Sequence, residues 1–172
     1  VDIAFLQDNV RRRDSVNDLI VHRDTRASGE AAVPEKCRSC TALFDVMTDD
    51  IVKVLKENNI DFIVLAGFMN KISDPLLEAY PNKIVNIHPA LLPKFGGKGM
   101  YGMHVHEAVI AAKEKESGIT IHYIDEHYDE GTIIFQGKCP IIPEDDAESV
   151  ATKVHALEYE FYPKVVKDLL SR

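Results

Sequence analysis

Residues 61–88 read DFIVLAGFMNKISDPLLEAYPNKIVNIH. From Asp61 to Gly67 the apolar residues run on without alternation, which marks a strand buried on both faces, as in a parallel α/β sheet. The spacing predicts a short helix over Asp74–Tyr80, stopped at Pro81. Lys83–His88 is a second apolar strand that ends in polar residues. A strand, a helix and a strand in that order predict a right-handed crossover and a parallel pair.

Working outward, Thr48 reads as an N-cap, with Asp49 and Asp50 at the positive end of a helix whose stripe is Ile51, Val52 and Leu55. Pro89–Met103 reads as a loop holding four of the chain's nine glycines, so its backbone turns sharply or moves. A helix is expected from His104 to Glu116, then strands over Gly118–Ile124 and Thr132–Cys139, joined by a hairpin-type polar connection, Asp125–Gly131. A final helix from Ala147 carries Val150, Val154, Leu157 and Phe161 as its core stripe, kinked or reset at Pro163. Val1–Leu6 reads at once as a buried strand, with no signal-peptide pattern ahead of it. The expectation is that a natural N-terminus has been removed or that this is an internal piece of a longer fold.

The chain has 172 residues, 45% hydrophobic and 28% charged, which fits one ordered domain over 1–172 with a sizeable core. Twenty basic residues against 28 acidic ones give a net charge of −8, without the electrostatic footprint of a nucleic-acid binder. No apolar run approaches the roughly 18 residues that span a bilayer. Three cysteines are too few for a disulfide framework and fit a reducing cytoplasm. Cys37 and Cys40 form a C-x-x-C, readable as a redox pair or half a zinc site, but no second pair accompanies it. Arg11–Arg13 reads as a solvated patch.

Ligands of parallel α/β sheets bind at the carboxyl ends of strands. Asn86 and His88 sit at such an end, two residues apart, so their side chains leave the same face. Asp129 follows in the acidic connection. An amide donor, an imidazole and a carboxylate together suit acyl-type transfer: the amide and a charged imidazole stabilise an oxyanion, and the carboxylate relays a proton. The bland alternative is a strand end capped by polar residues beside a solvated turn. No G-x-S-x-G elbow and no G-x-G-x-x-G after a strand occur. His104 and His106, two apart at a helix start, diverge and read as solvated or capping rather than as metal ligands.

Asn86-Ile-His-Pro-Ala-Leu-Leu-Pro-Lys94 closely resembles the N-I-H-P-S-L-L-P signature of the glycinamide ribonucleotide transformylase family of folate-dependent formyltransferases. Leu65-Ala-Gly-Phe-Met69 resembles that family's L-A-G-F-M strand end. Ser117–Tyr123 followed by Tyr128–Gly131 and Ile133–Gln136 resembles its third block, and Leu157–Pro163 its last helix. The likeness runs from about Asp61 to Pro163.

The resemblance implies transfer of formyl from 10-formyltetrahydrofolate to the amine of glycinamide ribonucleotide, in purine synthesis, without a metal. It assigns oxyanion stabilisation to Asn86 and protonated His88, with Asp129 holding His88 charged and moving the amine's proton. That role calls for a raised His88 pKa. His122 supports the site from the neighbouring strand. Met69, Asn70, Lys71 and Ile72 line the folate pocket with Asn86, and backbone near Ile124, Asp125 and Glu126 reads the pterin edge. Gly67, Pro89 and Glu158 touch the ribonucleotide; Glu158, about 80° from Val150 around the last helix, leaves the core face for that purpose.

Ala90 stands where the signature has Ser. The loop from Phe95 to Met103 is longer and richer in glycine than in many relatives, suggesting a lid. The family's first strand and its Gly/Ser-rich phosphate-binding loop are not identifiable, and Arg38 is a weak match to a folate-facing arginine. The expected fold is α/β: an open, mostly parallel Rossmann-like sheet with an antiparallel C-terminal portion and helices on both faces. The partners expected are folate and the ribonucleotide, with neither nucleic acid nor membrane, in a monomer or homodimer. Rival readings are a formyltetrahydrofolate deformylase, against which His88-Pro89 speaks, and a folate-binding piece without catalysis; a methionyl-tRNA formyltransferase fits less well.

Overall fold

The computed structural model describes residues 2–7, 18–22, 48–68 and 71–171. In chain order it contains β1 (Asp2–Gln7), β2 (Asp18–His22), α1 (Thr48–Glu57), β3 (Ile60–Ala66), α2 (Asp74–Ala79), β4 (Ile84–His88), α3 (Met103–Ala111), β5 (Glu116–Tyr123), β6 (Ile133–Pro140) and α4 (Ala147–Leu170). These elements fall in two compact units, Val1–Val85 and Asn86–Arg172, so β4 begins in one and ends in the other.

In the first unit β1 lies parallel to β3, with Phe5 opposite Val64. On its other edge β1 pairs antiparallel with β2, Phe5 opposite Ile20, an addition the sequence pattern did not announce. The unbroken apolar run of β3 is explained by its burial: Ile63 and Val64 are fully inaccessible and Leu65 nearly so. Ile63 N–H donates to the Lys83 carbonyl at 2.8 Å, just ahead of β4. Helix α1 begins at Thr48 itself and buries Ile51 and Leu55. Helix α2 has Pro75 in its first turn and buries Leu76, and β3 is followed directly by Gly67, whose φ of +64° suits glycine.

In the second unit β5 and β6 form an antiparallel hairpin, Thr120 opposite Gln136. Helices α3 and α4 pack on each other, and α4 also packs on β5 and β6. Val105, Val109, Ile119, Ile121, Val150 and Val154 make this core, each at most 1% exposed.

At four points the helices differ from expectation. Helix α3 stops at Ala111, because Lys113 turns left-handed at φ 54° and Glu116 opens β5 opposite Pro140. Helix α4 runs on through Pro163 to Leu170; the carbonyl that loses its partner to the proline ring is that of Tyr159, an 84% exposed residue where water can replace it. Its buried residues are Val150, Ala151, Val154, Tyr162 and Val166, while Leu157 and Phe161 are half-buried, the latter against Phe135 with ring centroids 5.0 Å apart. At about 100° per residue these buried positions span about 160°, and Glu158 falls near the middle of that inward face rather than off it.

Met69, Asn70, Arg11–Arg13, Cys37, Arg38 and Cys40 lie outside the described residues.

Candidate active site

Every residue of β4 is buried, its two polar side chains included. Asn86 is 9% exposed and His88 3%. Asp129 arrives from the connection between β5 and β6. Its backbone is left-handed, φ 58°, a conformation aspartate tolerates better than most residues. The connection is shaped by an Asp125 carboxylate that accepts from His127 N–H at 2.8 Å. It closes where Tyr123 N–H donates to the Thr132 carbonyl at 2.9 Å. Gly131 is required there: a Cβ would lie 1.8 Å from the Tyr123 carbonyl oxygen.

The Asp129 carboxylate stands between two imidazoles. Oδ2 is 3.7 Å from His88 Nδ1, and Oδ1 is 3.7 Å from His122 Nε2. His122, fully buried, donates Nδ1–H to the Tyr123 carbonyl at 3.0 Å. Its Nε2 is thereby left as an acceptor and receives Asn86 Nδ2–H across a long 3.4 Å. This orients the Asn86 amide, whose Oδ1 has no hydrogen-bond partner among the described residues. Asn86, His88, His122 and Asp129 therefore form one cluster; strand-end position suggested the first two together with Asp129, and only the resemblance added His122.

Two contacts came from backbone atoms and had no side-chain signal. His88 Nε2–H donates to the Phe95 carbonyl at 2.8 Å. Gly97 N–H donates to Asp129 Oδ2, also at 2.8 Å. The density of glycines after Phe95 was the only hint that this loop folds back tightly.

The expected rise in the His88 pKa is not what the resting structure holds. Burial pushes it below the ordinary histidine value, against an upward pull from Asp129 and from the Phe95 carbonyl. Burial lowers His122 as well, with the Tyr123 carbonyl and Asp129 opposing. Both shifts favour the neutral imidazole at rest. Glu158 is half-buried, its carboxyl raised by burial and partly restored by nearby His155.

Ile124 is half-buried, and Asp125 and Glu126 are exposed, in the connection that carries Asp129. Pro89 is half-buried directly after His88. Gly67, Lys71 and Ile72 belong to the first unit, where Ile72 is buried and the other two exposed. His104 is exposed, 3.5 Å from Glu107, while His106 is buried and its Nδ1 has no hydrogen-bond partner among the described residues. Among the described residues no three His, Cys, Asp or Glu side chains gather as metal ligands, and no helix is long and apolar enough to cross a membrane.

A Rossmann-like α/β fold with an amide, an imidazole and a carboxylate gathered at the end of a strand defines a protein equipped to handle an acyl-type carbonyl. The formyl transferase family matches residues 19–166, and the chain belongs to that family. A chloroplastic phosphoribosylglycinamide formyltransferase of Vigna unguiculata is 48% identical over 120 residues, covering 70% of this chain and 38% of its own length. The phosphoribosylglycinamide formyltransferase of Bacillus subtilis (strain 168) is 42% identical over 120 residues, with 70% of this chain and 59% of its own length covered. The crystal structure of phosphoribosylglycinamide formyltransferase from Bacillus halodurans superposes with a TM-score of 0.66 at 46% identity, over 72% of this chain and 61% of that one. The chain thus spans 38% to 61% of the length of these three proteins.

Proposed function

We propose that this chain carries the chemistry of a phosphoribosylglycinamide formyltransferase, moving the formyl group of 10-formyltetrahydrofolate to the amine of glycinamide ribonucleotide. The observation that carries the reading is the cluster of Asn86, His88, His122 and Asp129 in a member of the formyl transferase family.

The amine nitrogen adds to the formyl carbon, forming the new C–N bond while the carbonyl electron pair moves onto oxygen. Asn86 Nδ2–H and the charge of a protonated His88 stabilise that oxyanion. Asp129 takes the proton of the new ammonium. The bond from carbon to folate N10 then breaks, the carbonyl reforms, and the proton passes to N10. A charged His88 has acceptors on both nitrogens, the Phe95 carbonyl already bonded and Asp129 Oδ2 at 3.7 Å. Uptake of a proton from solvent at Nδ1 gives the charged form, and closing the second gap to hydrogen-bond distance from Asp129 stabilises it. His122 acts by orienting the Asn86 amide.

By resemblance, Ile124, Asp125 and Glu126 belong to the folate, as do Met69, Asn70, Lys71 and Ile72. Gly67, Pro89 and Glu158 belong to the ribonucleotide. Glu158 fits that task electrostatically, since a half-buried carboxylate gains from hydroxyl donors that relieve its lost hydration. We place both units in one cytoplasmic formyltransferase domain.

The test is loss of formyl from 10-formyltetrahydrofolate with and without glycinamide ribonucleotide. Loss that requires the ribonucleotide is expected. Equal loss in its absence identifies a deformylase instead, and binding of folate with no loss in either case leaves only a folate-binding protein.

A further inference from the structure

The turn after His88 is held from beneath by two side chains of the β5–β6 hairpin that the reaction does not use. Thr120, fully buried, donates its hydroxyl hydrogen to the Ala90 carbonyl at 2.7 Å and accepts Leu92 N–H at 3.0 Å. Gln136, opposite Thr120 on β6, donates from Nε2 to the Leu92 carbonyl and to Thr120 Oγ1, each at 2.9 Å. Three of these bonds fix residues 90–92 to the hairpin, and the fourth ties Gln136 to Thr120 within it. Three residues on, Phe95 is left-handed at φ 56°, an outlier for a bulky side chain that persists only when its surroundings hold it. Its carbonyl is the one that accepts from His88 Nε2, and Gly97 N–H then reaches Asp129 Oδ2. Packing leaves little slack between the two anchors, because a Cβ on Gly96 would lie 2.6 Å from Leu92 Cδ2 and 3.1 Å from Asp129 Cβ.

We propose that Thr120 and Gln136 are positioning residues that clamp the turn at 90–92, and so hold the Phe95 carbonyl on His88 and the Gly97 amide on Asp129. The clamp rests on the formyl-transfer reading for its purpose. Its geometry does not depend on turnover. By fixing an acceptor on Nε2, it sets the tautomer of neutral His88 and presents Nδ1 to Asp129, the nitrogen on which the proposed reaction needs a proton. A clamp that slipped would let either nitrogen carry the hydrogen.

The experiment uses the full chain labelled with nitrogen-15. In the wild type His88 shows the single Nε2–H tautomer when neutral, and the Gly97 amide exchanges slowly. Gln136→Met keeps the side-chain length and removes both donations. It is expected to fold, to speed Gly97 exchange roughly tenfold or more, and to mix the His88 tautomers. It is also expected to lower kcat roughly ten- to hundredfold with KM for the ribonucleotide little changed. Thr120→Ser retains the hydroxyl and should match the wild type, whereas Thr120→Val should behave as Gln136→Met and serves in its place if that variant does not fold. An unchanged Gly97 exchange rate and a single His88 tautomer in a folded Gln136→Met or Thr120→Val protein overturn the clamp. If no form of the protein moves formyl yet the exchange and tautomer effects appear, the function reading fails and the clamp stands.

Discussion

A neutral imidazole has one N–H, and His88 gives it to the Phe95 carbonyl, leaving a bare Nδ1 facing the Asp129 carboxylate across 3.7 Å. That arrangement is unsatisfied at rest and becomes satisfied when a proton arrives, which is how a site whose burial disfavours charge can still be poised to accept it. Gly96, in the loop that carries both backbone contacts, is caught between Leu92 and Asp129. Gly96→Ala forces one of them to move by several tenths of an ångström. We expect it to cost about 1–3 kcal/mol in denaturant unfolding and to lower turnover by lengthening the Gly97–Asp129 bond. A variant with wild-type stability and rate would show that the loop yields freely there.

At the scale of elements, β3 and β4 were legible because full burial leaves nothing but apolar residues to choose from, and Asn86 and His88 stood out against that background. The end of α3 was not legible, since Lys113 adopts a left-handed turn without glycine or asparagine to signal it. Nor was the inward place of Glu158: a carboxylate on a buried face breaks the very periodicity used to find that face. The Phe95 and Gly97 contacts are made by backbone atoms, which every residue carries, so no side-chain pattern reveals them. Helix α4 starts with a capping box in which Asp146 accepts from Ser149 N–H at 2.8 Å and Ser149 Oγ accepts from Asp146 N–H at 3.0 Å. Asp146→Ala should lower unfolding stability by about 1 kcal/mol, seen as a shift of the denaturation midpoint with an unchanged slope.

For the molecule as a whole, burial lowers the pKa of His88, His106 and His122 together. Between each depressed value and the ordinary value near 6.5 the unfolded chain binds more protons than the folded one, so stability rises with pH through that window. Melting temperature should therefore fall as pH drops from 7.5 towards 5. His106, buried with no hydrogen-bond partner for Nδ1 among the described residues and unfavourably close to His155 when charged, is the cleanest contributor to remove. His106→Leu should flatten part of that slope, and an unchanged slope would place the titration elsewhere.

The central claim is that His88 and Asp129 act as one unit in formyl transfer, and a double-mutant cycle on the rate tests it most directly. Turnover of 10-formyltetrahydrofolate with glycinamide ribonucleotide is measured for the wild type, His88→Ala, Asp129→Ala and the double variant. Each single change is predicted to slow transfer roughly 10²–10⁴-fold, and the double variant little further, because the second residue has no role once the first is gone. A near-wild-type rate in either single variant, or losses that simply multiply in the double, would contradict the account.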